Sequence, residues 1–387
     1  MSNVEKKILQ WLENHLLLLA FVAFSGIGLL LRLMLFDFVS GDSTFFLLPW
    51  YEQIRQNGLN QQVGNYNFLY QMLIWIMTKL PVEPLHGYKI LSVVFDYLLA
   101  LAAAGVTVRL VKEDKLWKGV AAYAAVLLCP TVFLNSAAWA QCDAIFVFFA
   151  IAALGCLLRE GYRGAMIMMG LAFSFKLQAV FLLPLMLFAY FRKQKFSILS
   201  FLWIPAVMCI TSLPALLFGR SVLEIFGVYA GQSETYPYLA MNYPSVWMLL
   251  AQPLNSQHYE LLKSPAILFT VCVLAVQMLV WIRQKRMAQG RNLLYMAFLL
   301  CYTCVLFLPA MHERYGYLYE VLAIIIACIF PGTLPMCVGL LGVSMCSYGA
   351  YLFKIETVPM IWLAVINLAL YLFYVVKLNK AMTTDEM

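Results

Sequence analysis

The sequence predicts an all-α integral membrane protein crossing the bilayer about twelve times, with both termini cytoplasmic, and three observations carry that expectation. Of the 387 residues, 64% are hydrophobic and only 12% are charged, a balance that leaves a soluble domain of this size too little polar surface. The apolar residues fall in runs long enough to span hydrocarbon. The Lys and Arg residues gather in short clusters between those runs, so the net charge of +7 reflects topology and not a nucleic-acid partner.

The amino terminus carries Lys6 and Lys7 and is expected inside. Segment 1 runs outward from about His15 to Phe36 and lacks the small-residue cleavage site of a removable signal peptide. Residues 37–86 then form a first outer loop. Within it, Asp42 or Ser43 can cap a helix lying in the interface, and Gly58 can end it. Leu47, Trp50, Tyr51 and Ile54 supply an apolar stripe, and Pro49 should kink the helix. Residues 66–80 are marginal for a crossing. Charge decides the matter, because Arg109, Lys112, Lys115 and Lys118 reach the cytoplasm only if 66–80 stay outside as a second interfacial helix.

Segments 2 (about 87–111), 3 (119–139) and 4 (143–158) follow. The apolar stretch 164–190 has basic residues at both ends and is expected to be a hairpin of two short helices turning near Ser174–Gln178. Segment 7 (197–217) leads to a second outer loop, residues 218–263. Segments 8 to 12 (264–282, 292–310, one beginning almost at once, 333–353 and 359–376) bring the carboxyl terminus back inside beside Lys377 and Lys380. No internal repeat is visible, so residues 1–387 are expected to form one polytopic domain. The ten cysteines lack metal-ligand spacing and are expected to be free.

Under this topology Asp37, Asp42, Gln141, Asp143, Lys176, His312, Glu313 and Arg314 converge on the outer end of the bundle. An ionisable side chain in hydrocarbon costs about 2.5–3.5 kcal/mol on insertion scales, so such groups line a cavity or pair. A shared polar cavity facing outside is the expectation, roofed by Gln232, Tyr236, Tyr238, Asn242, Tyr243 and Trp247. Duller readings stand beside it: Asp42 and Asp143 as helix caps, Lys176 snorkelling to headgroups, His312–Arg314 as a surface triplet, and the loop aromatics as an interfacial belt. Asp96, within segment 2, is expected to pair with a lysine or a tyrosine.

Several short stretches occur in a particular order: Ser40-Gly41-Asp42 with Pro49-Trp50-Tyr51, Asn65-Tyr66-Asn67, Leu134–Asp143, Phe173–Gln178, Met241–Trp247 and His312–Tyr315. In this ordered set the chain resembles the GT-C superfamily of membrane glycosyltransferases, and most nearly the bacterial members related to oligosaccharide mannosyl- and glucosyltransferases. The resemblance implies a GT-C-type bundle with its site on the extracytoplasmic side of the plasma membrane. It implies an inverting hexosyl transfer from a polyprenyl-phosphate sugar donor to an exported glycan, a lipid-linked polymer or a protein. Asp42 would be the general base, and Arg314, His312 and Lys176 would hold the donor phosphate. Glu313, Asp143, Gln141, Gln178, Tyr66, Asn242 and Trp247 would support or bind substrate. No cofactor is required on this reading. A divalent cation, recruited by Asp42 with Asp143 or Glu313, is not ruled out by the sequence and is not called for.

Two other function classes compete. A transporter or flippase of lipid-linked saccharide predicts midplane charges and matching halves, whereas here the charges sit at one rim. A polymerase or ligase of lipid-linked glycans would share the outer cavity but take a diphosphate-linked donor.

Overall fold

The computed structural model describes residues 1–234, 237–250 and 257–384; Tyr236 and part of the second outer loop lie outside them. All regular structure among these residues is helical, beside one isolated bridge between Ala240 and Met311. In chain order the helices are α1 (Asn3–Leu33), α2 (Leu48–Asn57), α3 (Phe68–Met77), α4 (Pro84–Leu110), α5 (Lys115–Leu127) and α6 (Pro130–Phe133). Next come α7 (Asp143–Leu158), α8 (Tyr162–Phe175), α9 (Leu183–Lys193), α10 (Trp203–Leu217), α11 (Val222–Glu234) and α12 (Val246–Leu250). The last five are α13 (Tyr259–Arg283), α14 (Gly290–Phe307), α15 (Tyr317–Ile329), α16 (Leu334–Leu352) and α17 (Met360–Thr384).

Among the described residues seven helices are long and apolar enough to cross a membrane: α1, α4, α10, α13, α14, α16 and α17, where α10 and α16 include their short lead-in turns. An eighth is added if α5 and the helix after it, bent by 48°, count as one span. The protein is thus a multi-pass membrane protein. The segments of the other expected crossings hold shorter helices, α7, α8, α9 and α15. Burial separates inner from outer elements. The apolar window of α14 is 83% buried, while those of α1 and α10 are 11% and 17% buried and leave their apolar faces for lipid.

Helices α2 and α3 form in the two stretches where interfacial helices are expected, with one correction. Gly58 ends α2 at φ 69° and ψ −141°, a backbone conformation that glycine, lacking a Cβ, adopts readily. Asp42 does not cap the first helix; the Ser40 hydroxyl accepts from the Ser43 amide instead (3.1 Å). Pro49 stands in the first turn of α2, directly after a π-helical turn over Ser43–Leu47 with which α2 is continuous. The expected hairpin at 164–190 is broken by Lys176, which is extended (φ −152°, ψ 139°) between α8 and a tight turn over Leu177–Leu182.

Three buried cations tie together the end of the bundle that carries Asp42. Lys89 donates to the carbonyls of Leu35, Phe36 and Phe38 (2.9, 2.7 and 2.7 Å), closing the end of α1 and aiming the chain toward Asp42. Arg220 donates to the Leu59 and Gln61 carbonyls and to Gln71, fastening the start of the second outer loop to the first. Arg32 pairs with Asp96 (2.8 Å), both fully buried. Of the two expected partners, a lysine or a tyrosine, the tyrosine is present as Tyr317, while an arginine stands in place of a lysine, Lys89 on the same helix being occupied with carbonyls. Ser136 also donates to Asp96 (2.5 Å), and the Tyr317 hydroxyl lies 3.5 Å away. The ten cysteines are free.

Because Asp96 joins α1, α4, the segment before α7 and the start of α15, removing one charge leaves the other buried and unpaired. Asp96→Ala is expected to destabilise the protein by about 3–5 kcal/mol, and Arg32→Met with Asp96→Leu to recover much of it. Thermal unfolding in detergent checks this; a single variant as stable as the parent would refute it.

Candidate active site

Asp42 sits at the rim of the bundle with its carboxylate turned inward. Its Oδ2 accepts from the Trp139 indole N–H (2.9 Å) and the Gln141 amide (3.0 Å), and its Oδ1 accepts from the Tyr351 hydroxyl (2.6 Å). Trp139 and Gln141 reach it because a second π-helical turn, over Leu134–Ala138, ends just before them. Ala140 between them adopts φ 59°, a conformation unusual for a residue with a Cβ. Two wide turns and one left-handed residue thus aim three side chains at one point.

Behind Asp42 lies an ion cluster. Asp143, at the first turn of α7, takes Lys176 on Oδ1 (2.5 Å), and on Oδ2 it takes the Asn135 amide (2.9 Å) and Arg314 Nε (3.5 Å). Arg314 also lies 3.8 Å from Asp42 and 3.5 Å from Glu313, and its guanidinium stands over the Trp139 ring at 5.2 Å. Burial opposes the charge on Arg314, but Asp143, Glu313 and Asp42 outweigh it and hold the group cationic more firmly than usual. Glu313 is fully buried with Oε2 unpartnered. Burial raises its carboxyl above the usual range, against the pull of Arg314.

His312 is pushed the other way. Burial first, and then the charges of Arg314 and Lys176, lower its imidazole to about 3. It is therefore neutral at physiological pH and offers one donor and one acceptor nitrogen.

Three connected cavities run through these groups. A chamber of about 260 Å³ is walled by Asp42, Phe46, Trp50, Tyr66, Gln141 and Tyr351, with His312 and Arg314 at its back. Gly64 packs under the Trp50 ring so closely that a side chain there would collide with it. A narrow neck of about 60 Å³ shares His312, Arg314 and Tyr66 with the chamber and adds Lys176, Gln178 and Gln232. Beyond it, a groove of about 170 Å³ is walled mainly by apolar residues such as Leu177, Val180, Phe181, Ile267 and Leu308, and it shares His312, Gln178 and Tyr315 with the neck.

Of the residues singled out in the sequence, Asp42, Tyr66, Gln141, Lys176, Gln178, His312 and Arg314 line this tract. Asp143 and Glu313 lie behind it as counter-ions. Asn242 is exposed and acts on Glu313, whose acidity its side chain increases. Trp247 stays out of the tract, because its indole N–H donates to the Phe307 carbonyl (2.7 Å). Asp37 also stays out, 97% exposed and 3.3 Å from His86. Trp139, Asn135 and Tyr351 were not named as site residues from the sequence. The first two lay inside a quoted stretch, whereas Tyr351 sits at the end of an apolar run and carries no local signal. Among the described residues no three His, Cys, Asp or Glu side chains converge as a metal-binding group.

Fold and site together define a multi-pass membrane protein with an acidic chamber and a cationic neck set at the mouth of an apolar groove. The chain matches the model of glycosyltransferase family 87 over residues 65–309, and it belongs to that family. It is a membrane glycosyltransferase of GT-C type. The match covers Asp143 and Lys176 but ends short of Arg314 and begins after Asp42. No curated protein matches the chain.

The setting of His312 makes a prediction. Unfolded histidine takes a proton near 6.5, while here protonation waits until about 3. Between those values the folded state binds fewer protons, so stability falls as pH drops below about 6.5. NMR of ring-labelled histidine, with His312→Gln for assignment, should show this imidazole neutral from pH 8 down to pH 5. A midpoint near 6 or 7 would contradict the burial argument.

Proposed function

We propose that the protein is an inverting hexosyltransferase that takes its sugar from a polyprenyl-phosphate carrier. The order chamber, neck and groove carries this reading, because it matches the order sugar, phosphate and tail in such a donor. The groove suits an isoprenoid chain, each buried CH₂ of which contributes about 0.8 kcal/mol. Lys176, Arg314 and the His312 ring suit the phosphate. The chamber then holds the hexose and the acceptor hydroxyl beside Asp42.

In the proposed reaction Asp42 Oδ1 removes the acceptor's proton as the oxygen attacks the anomeric carbon. The bond from that carbon to the phosphate oxygen breaks, and its electron pair leaves with the phosphate. Arg314 and Lys176 meet the charge that develops there. A single displacement inverts the anomeric centre. The acceptor is an exported glycan, a lipid-linked polymer or a protein.

The proposed topology adds the shorter helices α7, α8, α9 and α15 and the α5 span to the seven long ones, giving twelve crossings with both termini cytoplasmic. The basic clusters at Lys6, Arg109–Lys118, Arg192–Lys195 and Arg283–Arg286 then all lie inside. The chamber opens on the extracytoplasmic side of the plasma membrane.

Protein reconstituted with decaprenyl-phosphate mannose or glucose is the test. Asp42→Asn is expected to lower transfer roughly 10²–10⁴-fold while donor binding persists. Arg314→Gln should weaken binding of the monophosphate donor as well. Full transfer by Asp42→Asn, or use of only diphosphate-linked donors, would overturn this reading.

A further inference from the structure

We propose that Tyr351 is a positioning residue for the Asp42 base: its hydroxyl occupies one lone pair of Oδ1 and leaves the other as the place where the acceptor hydroxyl docks. This inference rests on the preceding reading of Asp42 and extends it to a residue on another helix, 309 positions later.

The argument is a count of lone pairs. A carboxylate offers two acceptor sites on each oxygen. On Oδ2 both are taken, by Trp139 (2.9 Å) and Gln141 (3.0 Å). On Oδ1 the Tyr351 hydroxyl takes one (2.6 Å), and Asp42 and Tyr351 both line the chamber. A single site therefore remains, beside the tyrosine oxygen.

The fork holding the carboxylate is itself rigid. The Tyr351 ring stacks on the Trp139 ring at 4.8 Å and 25°, so the two donors that grip opposite oxygens of Asp42 brace each other. Tyr348, one turn earlier on α16, meets the far side of Trp139 edge-on at 5.2 Å. A carboxylate gripped at both oxygens cannot rotate its remaining lone pair away from the chamber.

The other groups facing Asp42 are Arg314 at 3.8 Å and the Glu313 carboxyl from the loop before α15. His312 and Tyr66 stand across the chamber, and Lys354 lies 5.0 Å from the Tyr351 ring. In the reaction the acceptor's O–H bond breaks and an Oδ1–H bond forms; Tyr351 keeps its own proton throughout.

Tyr351→Phe removes the hydroxyl alone and preserves the ring stack. In proteoliposomes with decaprenyl-phosphate mannose or glucose, this variant should unfold at the parent's temperature. Its kcat should fall roughly ten- to a hundredfold with both KM values within about threefold, as expected for loss of one hydrogen bond to a charged group. A parental kcat would overturn the proposal. So would a lowered unfolding temperature with both KM values raised well beyond threefold, which would make Tyr351 a packing residue only. A parent protein that consumes neither donor would overturn the underlying donor reading, and this assignment with it.

Discussion

The arrangement depends on one buried carboxylate, Asp143, which lies between Lys176 and Arg314. Two cations a few ångströms apart in a half-buried site repel by about 4 kcal/mol at the effective dielectric of such places. Only a fixed anion between them allows both to face the same neck. Asp143 is suited to this because it stands at the first turn of α7, where the helix dipole favours negative charge. Its remaining acceptor site is filled by Asn135. Without Asp143 the neck would have to expel one cation, and the sequence of acidic, cationic and apolar compartments would collapse.

The same economy governs the backbone. A wide π-helical turn directly follows Asp42, another precedes the Trp139–Gln141 segment, and Ala140 holds a left-handed conformation. Irregularities of this kind persist where surrounding structure over-determines them, and they concentrate at functional sites. Here the surroundings are identifiable. Ser136 is held by the fully buried Asp96, and Lys89 ties down the carbonyls just ahead of Asp42. The Arg32–Asp96 pair, remote from the cavity, therefore fixes the register in which the indole and amide meet the carboxylate.

Hydropathy and charge clusters made the helical segments legible, since a 20-residue apolar run has few alternatives in lipid. Length became uninformative between residues 143 and 193, where the helices are shorter than an ordinary span, and only the basic residues at both ends signalled a turn near Lys176. The convergence of Asp42, Lys176, His312 and Arg314 was legible because charged residues near hydrocarbon must share a cavity or pair. Their division of labour was not legible. Asp143 and Glu313 look like any other acids in sequence, and only burial and partners show them to be counter-ions. Trp247 was misplaced because an aromatic in an outer loop serves a sugar platform and a helix-end contact equally well. The hydroxyl of Tyr351 was invisible for a different reason: its partner is 309 residues away and no local pattern encodes that contact.

Carboxyl groups stand beside both cations of the resting site, and that bears on how the proposed reaction is driven. Asp42, Asp143 and Glu313 face Lys176 and Arg314, so the neck attracts an arriving phosphate less than two bare cations would. Ground-state affinity for a lipid donor then falls largely to the groove, where tail burial supplies it without reference to chemistry. Arg314 is shared between Asp42 at 3.8 Å and Asp143 at 3.5 Å. When Asp42 accepts the acceptor's proton it loses its charge, and the field of Arg314 is no longer divided between Asp42 and the phosphate. That release coincides with the growth of negative charge on the departing phosphate oxygen. An interaction that strengthens only as the transition state forms raises kcat without tightening the ground state. The 3.8 Å contact between base and cation, too long for a hydrogen bond, is thus suited to a pair that must part electrostatically at each turnover.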